Sequence, residues 1–165
     1  MKTVILGIGN PLLGDDGAGW RVADQIRQLF TPNSELNIEN CSLDGLSLME
    51  KISGYDAAIL IDTIYTGINK KGSVLTSNLS NVENASWTSA YSQHNMPISS
   101  ALKLGRFLNI DLPDDSNVFI IAIEAEKLYK FEERLTPKVE KAIPVATSHV
   151  TEILNKITKS FSCGV

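Results

Sequence analysis

The sequence predicts an α/β fold, a three-layer α/β/α sandwich around a five-stranded sheet that is mixed but mostly parallel. Two observations carry that expectation: apolar runs of strand length alternate with segments whose apolar residues recur three and four apart, and the connections between them are short. A third sets the scale. With 43% hydrophobic residues among 165, the chain can bury one substantial core without metal or disulfide staples, so one domain is expected over residues 1–160, with a loose tail at 161–165.

Taken in order, Val4 to Leu6 within KTVILGI form a continuous apolar run ending in glycine, which suits a strand covered on both faces. Trp20, Val22, Ala23, Ile26, Leu29 and Phe30 then recur at helical spacing until Thr31-Pro32-Asn33 stops them. Leu36 to Cys41 alternates as a second strand, and Leu46, Met49 and Ile52 give a short helix. Ala57 to Ile61 (AAILI) is a third, buried strand. A fourth is expected at Gly72 to Leu75, reached through Thr66-Gly67-Ile68-Asn69, a linkage short enough to reverse the chain; that strand should be antiparallel. Ser77 to Gln93 is rich in Ser and Asn without sustained periodicity and reads as a long loop with at most a turn of helix. Pro97 opens a helix carrying Ile98, Leu102 and Leu108, and Val118 to Ile123 (VFIIAI) is the most strongly apolar strand. Last, Thr136-Pro137 begins a helix with Val139, Ile143, Ala146, Val150, Ile153 and Ile157 on one face. Pro144 should kink it or split off its first turns.

Composition narrows the function classes. A formal net charge of −4 with no basic run argues against nucleic acid, because phosphate binding needs clustered Lys and Arg. The apolar run of MKTVILGIGN is broken by glycines too early for a signal peptide or a membrane span, so no membrane partner and a cytoplasmic location are expected. Cys41 and Cys163 lie far apart without a pairing pattern and read as reduced thiols.

Three residues carry the chemistry. In open α/β sheets, sites form beyond the carboxyl ends of the strands. After the first strand comes GIGNPLLGDDGAG; Leu12 occupies the third position of a GxGxxG pattern and an acidic pair stands where pyrophosphate would lie, so a dinucleotide is disfavoured. Asp15 reads equally well as a helix cap. Asp16, Asp62 just after AAILI, and His94 in the loop before Pro97 fall together as two carboxylates and one imidazole on one edge. That set can hold a borderline divalent ion such as nickel or zinc and leaves coordination positions open. His149, within the last helix, reads as structural or exposed. Neither an HExxH helix nor a G-x-S-x-G elbow occurs.

The segment ILGIGNPLLGDDGAG closely resembles the opening of the hydrogenase maturation endopeptidases, in which G-x-G-N, a spacer and D-[DE]-G-x-G follow the first strand. Asp62 within LIDTIYTG and His94 within QHNMPI match the family's remaining cleft residues. VFIIAIEAE resembles its late strand and LTPKVEKAIP its last helix start, whereas NCSLDGLSLME preserves little of the family's second-strand loop. The resemblance implies a strand order 2-1-3-5-4 with the fourth antiparallel. It also implies an endopeptidase that removes the C-terminal extension of a nickel-iron hydrogenase large-subunit precursor. Nickel would then belong to the substrate and be recognised by Asp16, Asp62 and His94, with no organic cofactor and a monomeric enzyme. Whether hydrolysis is of aspartic type or metal-dependent stays open, as does the attacking group. Two other readings compete: a catalytically inactive metal-binding relative, and a receiver-like phosphoacceptor domain with a magnesium site. GIGN, the loop after Ser77, and the lack of a Lys directly after VFIIAI oppose the receiver reading.

Overall fold

A computed structural model describes residues 1–42, 45–81, 97–126 and 131–162. The strands are β1 (Thr3–Ile8), β2 (Leu36–Cys41), β3 (Ala57–Ile64), β4 (Val74–Asn78) and β5 (Val118–Glu124). The helices are α1 (Ala18–Leu29), α2 (Gly45–Ile52), α3 (Ile98–Phe107) and α4 (Pro137–Ser162). The sheet has the expected order β2-β1-β3-β5-β4, with β4 antiparallel to β5 and the other pairs parallel.

Strand alternation assigns the two faces. Ile5, Ile59, Ile61, Ile121 and Ile123 point towards α1 and α4, where Val22, Ile26, Val139 and Val150 complete one buried layer. Val4, Leu6, Ala58, Leu60 and Ile120 point the other way, onto Leu48, Met49 and Ile52 of α2 and Ala101 and Leu102 of α3. Burial on both sides explains why β1 and β3 read as unbroken apolar runs.

Four expectations need correction. β3 runs on to Ile64, paired throughout with β5, so Asp62 lies inside the strand opposite Ala122 instead of after it. The apolar run ends at Ile61, but backbone pairing continues because β5 continues beside it. β4 starts at Val74; Gly72 adopts φ 85° and belongs to the turn. The polar stretch after Ser77 opens with the end of β4 and a 3-10 turn at Leu79–Asn81, and its remainder, 82–96, lies outside the described residues. Finally, α4 passes through Pro144 as one helix and reaches Ser162, so Phe161 and Ser162 of the expected tail are helical. Pro144 faces solvent, where the Glu140 carbonyl deprived of its partner can be hydrated.

The β3–β4 linkage reverses the chain as expected but skips a position, since β5 lies between the two strands. Buried Glu124, at the end of β5, holds the linkage in place. Its carboxylate accepts from Thr66 Oγ1 (2.5 Å) and the Gly67 N–H (2.9 Å), and its carbonyl accepts the Gly72 N–H (2.7 Å).

Candidate functional site

The loop from β1 to α1 is built on close backbone approach. A Cβ on Gly19 would lie 2.3 Å from the Ile8 carbonyl oxygen and 2.5 Å from that of Ile61, so α1 can start directly over β1 and β3 only with glycine there. Gly9 has φ 130°, and a Cβ on it would sit 1.8 Å from the Asp16 carbonyl oxygen. Those contacts turn the chain back so that the 3-10 turn Gly14–Gly17 carries both aspartates onto the carboxyl edge of the sheet.

The two aspartates then part company. Asp15, 2% exposed, accepts from the Thr136 N–H (2.6 Å) and Thr136 Oγ1 (2.9 Å), directly before α4. It thus serves the start of the last helix instead of the one beside it in sequence. Backbone pairing reinforces the link, with the Gly14 N–H donating to Glu132 O (2.5 Å) and the Glu132 N–H to Leu12 O (3.0 Å). Asp16 turns inward: its Oδ2 accepts the Asn10 N–H at 2.7 Å, and its Oδ1 lies 3.5 Å from Thr63 Oγ1.

Asp62 meets Asp16 around Thr63. The Thr63 N–H donates to Asp62 Oδ1 at 2.7 Å, while its hydroxyl faces Asp16. Burial pushes the Asp62 carboxyl up to about 7 against the pull of the Thr63 N–H, and the charge of Asp16 adds to the rise. Asp62 is closely surrounded by protein atoms yet its residue keeps partial solvent access. Burial raises Asp16 as well, opposed by the Asn10 N–H and the Thr63 hydroxyl. Neither carboxylate has a Lys or Arg partner among the described residues. Tyr65 shares the neighbourhood: burial raises its phenol to about 12, against the Thr63 hydrogen bond, and the nearby aspartates add to the rise. Cys41, at the end of β2, is a buried free thiol raised to about 11 chiefly by burial, which makes it unreactive.

His94 falls within 82–96, outside the described residues. The chain resumes at Pro97 with α3, whose far end is fixed at the amino edge: the Gly54 N–H donates to Asp111 O (3.0 Å), and Arg106 bonds Asp115 (2.7 Å) just before β5. Ten helical residues rise about 15 Å, so the first turn of α3 lies towards the carboxyl edge, the edge of Asp16 and Asp62. Among the described residues no three His, Cys, Asp or Glu side chains could hold a metal ion, so the two aspartates alone do not complete a centre. His149 has a structural contact, its Nδ1 lying 2.8 Å from Thr76 Oγ1 and tying α4 to β4.

Sequence reasoning singled out Asp16 and Asp62, which the structure brings together around Thr63, but passed over Thr63 and Tyr65. The available signal was strand alternation: with Asp62 on the α2 and α3 face, residues 63 and 65 must face α1, where Asp16 arrives. Neither of two surface depressions, one of about 440 Å³ between α1 and α4 and one of about 490 Å³ at the amino edge, is lined by these carboxylates. No helix among the described residues is long and apolar enough to cross a membrane.

With this geometry in hand, comparison with known proteins is specific. A model of the hydrogenase maturation protease family matches residues 20–153. The chain is 26% identical over 156 residues to the hydrogenase 2 maturation protease of Escherichia coli (strain K12), covering 94% of this chain and 92% of that protein. It is 22% identical over 153 residues to the hydrogenase expression/formation protein HupD of Thiocapsa roseopersicina, covering 93% and 67%. Among solved structures, the hydrogenase maturating endopeptidase HybD from E. coli superposes with a TM-score of 0.76 at 24% identity, over 94% of this chain and 93% of that one. The [NiFe] hydrogenase maturation protease HybD from Thermococcus kodakarensis gives 0.70 at 22% identity, over 93% and 99%.

Proposed function

We propose, from the premise that this chain belongs to the hydrogenase maturation protease family, that it removes the C-terminal extension of a nickel-iron hydrogenase large-subunit precursor once nickel has been inserted. The observation that carries the proposal is the pair Asp16 and Asp62, two desolvated carboxylates grouped around Thr63 with no cationic partner among the described residues. Such a pair repels itself until a cation arrives. A metal already seated in the substrate supplies that cation, and His94 adds a third donor suited to nickel.

The arrangement then acts as a gate. Asp16, Asp62 and His94 provide binding energy only when the metal is present, and that energy positions the scissile peptide at the carboxyl edge. A metal-free precursor brings no charge to neutralise the pair and is left uncut. The enzyme works as a single domain and a monomer in the cytoplasm, with no resident organic cofactor.

The test is cleavage of the purified large-subunit precursor, nickel-loaded and metal-free, by the parent protein and by His94→Ala and Asp62→Asn. The expected result is processing of the nickel-loaded form alone by the parent, and none by either folded variant. Equal cutting of both precursor forms would dismiss the gate, and normal cutting by folded His94→Ala would remove that residue from it.

A further inference from the structure

Four arginines occur in the chain, and they divide into two pairs. Arg27 is held by Asp24 and by the Ile38 carbonyl, and Arg106 by Asp115 and the Pro113 carbonyl. Arg21 and Arg134 are exposed, and neither has a carboxylate within ion-pair distance among the described residues. Both line the same depression, the one of about 440 Å³ between α1 and α4. Gln25 of α1 lies beside them, Leu135 and Ile143 give it an apolar floor, and Glu133 and Glu140 stand on its walls.

This groove is joined to the candidate site by the chain itself. Its connecting wall, residues 133–135, runs straight into Thr136, which Asp15 grips next to Asp16. At the other end of that wall, Phe131 and Leu12 lie beside one another across the bridge between Leu13 and Glu132, 89% and 50% exposed. A polypeptide that leaves Asp16 along this wall therefore meets first the groove, with two guanidinium groups free of carboxylate partners among the described residues, and then the apolar pair. Exposed aromatic and arginine side chains at such a place are the usual anchors of a protein partner.

We infer that the groove between α1 and α4 is a docking subsite for the protein substrate, receiving an extended peptide segment that sets a carboxylate side chain against Arg21 and Arg134 and an apolar one against Leu12 and Phe131. The inference rests on the proteolytic reading above and adds where the substrate is held beyond its metal. Arg21 and Arg134 are specificity residues for binding and take no part in hydrolysis.

Steady-state cleavage of the nickel-loaded precursor tests this, with Arg21→Ala, Arg134→Ala, the double variant, Arg134→Lys, and Asp114→Ala in the depression at the amino edge as a control. The expected result is a KM raised about tenfold by each arginine truncation and further in the double variant. kcat should stay within about twofold, Arg134→Lys should recover part of the loss, and Asp114→Ala should match the parent. Calorimetric affinity for nickel ion alone should be the same in the parent and the double variant. An unchanged KM in the folded double variant, or a fall in kcat at constant KM, would overturn the groove while leaving the protease reading intact. A parent protein that does not cut the precursor would overturn both.

Discussion

Asp62 should make the protein less stable as pH rises, and its removal should make it more so. Burial lifts the folded carboxyl from its ordinary 3.8 to about 7, so between those values the folded state holds a proton that the unfolded chain has released. For a group whose folded pKa is raised, the associated stability is complete below the unfolded value and is lost as pH climbs through the folded one. A gap of about three units at 1.36 kcal/mol each amounts to a ceiling of about 4 kcal/mol, and the partial solvent access of Asp62 brings the observable value below it. Asp62→Asn keeps an oxygen for the Thr63 N–H but cannot ionise. Urea denaturation of parent and variant at pH intervals from 4 to 8 measures the difference directly. The two should be nearly equal at pH 4, with the variant pulling ahead by about 1–3 kcal/mol at pH 8 while being inactive. A stability difference that stays constant across the range would show that Asp62 titrates as an ordinary surface carboxylate, and the argument for a desolvated pair would fail with it.

Other outcomes follow from single contacts. Gly19→Ala drives a Cβ into the Ile8 and Ile61 carbonyls and should cost about 1–3 kcal/mol in urea denaturation, with slower cleavage because α1 carries the Asp16 turn with it. Thr136→Val removes the hydroxyl from buried Asp15 and should cost about 1–3 kcal/mol, read as a lower Tm at neutral pH. Among the described residues His149→Ala breaks the hydrogen bond to Thr76, so cleavage should be unchanged and stability should fall by no more than about 1 kcal/mol.

The sheet was legible because its signals are local. Buried parallel strands write themselves as apolar runs, and helices as spaced ones, so β1, β3, β5, α1 and α4 could be read off directly. The strand order required a resemblance to a known family, since no local pattern records that β5 inserts between β3 and β4. Register ends were misread where pairing outlasts hydrophobicity, as at Asp62 to Ile64. In the candidate site the charged residues stood out by type. Their supports did not: Thr63 meets Asp62 through a backbone N–H that any residue but proline would offer and Asp16 through an ordinary hydroxyl, and Asp15 has its partner at Thr136, far away in sequence. Pro144 misled because its cost depends on whether the orphaned carbonyl faces water, which periodicity alone does not show.

The clasp between Asp15 and Thr136 spans 121 residues, from the first loop of the chain to the start of its last helix. A chain growing from the ribosome presents GIGN and the aspartate pair long before Thr136 and cannot close this clasp until α4 has emerged. Until then Asp15 is a carboxylate without its two donors, and the turn that aims Asp16 is untethered on one side. The consequence concerns timing. A nascent chain of this design acquires its aimed acidic turn only once Thr136 and α4 have been made, so a chain stopped before Thr136 carries Asp16 on a turn tethered at one side alone. Deleting α4 by stopping translation before Thr136 would leave every proposed metal-binding residue in the polypeptide and still yield a species with little grip on nickel.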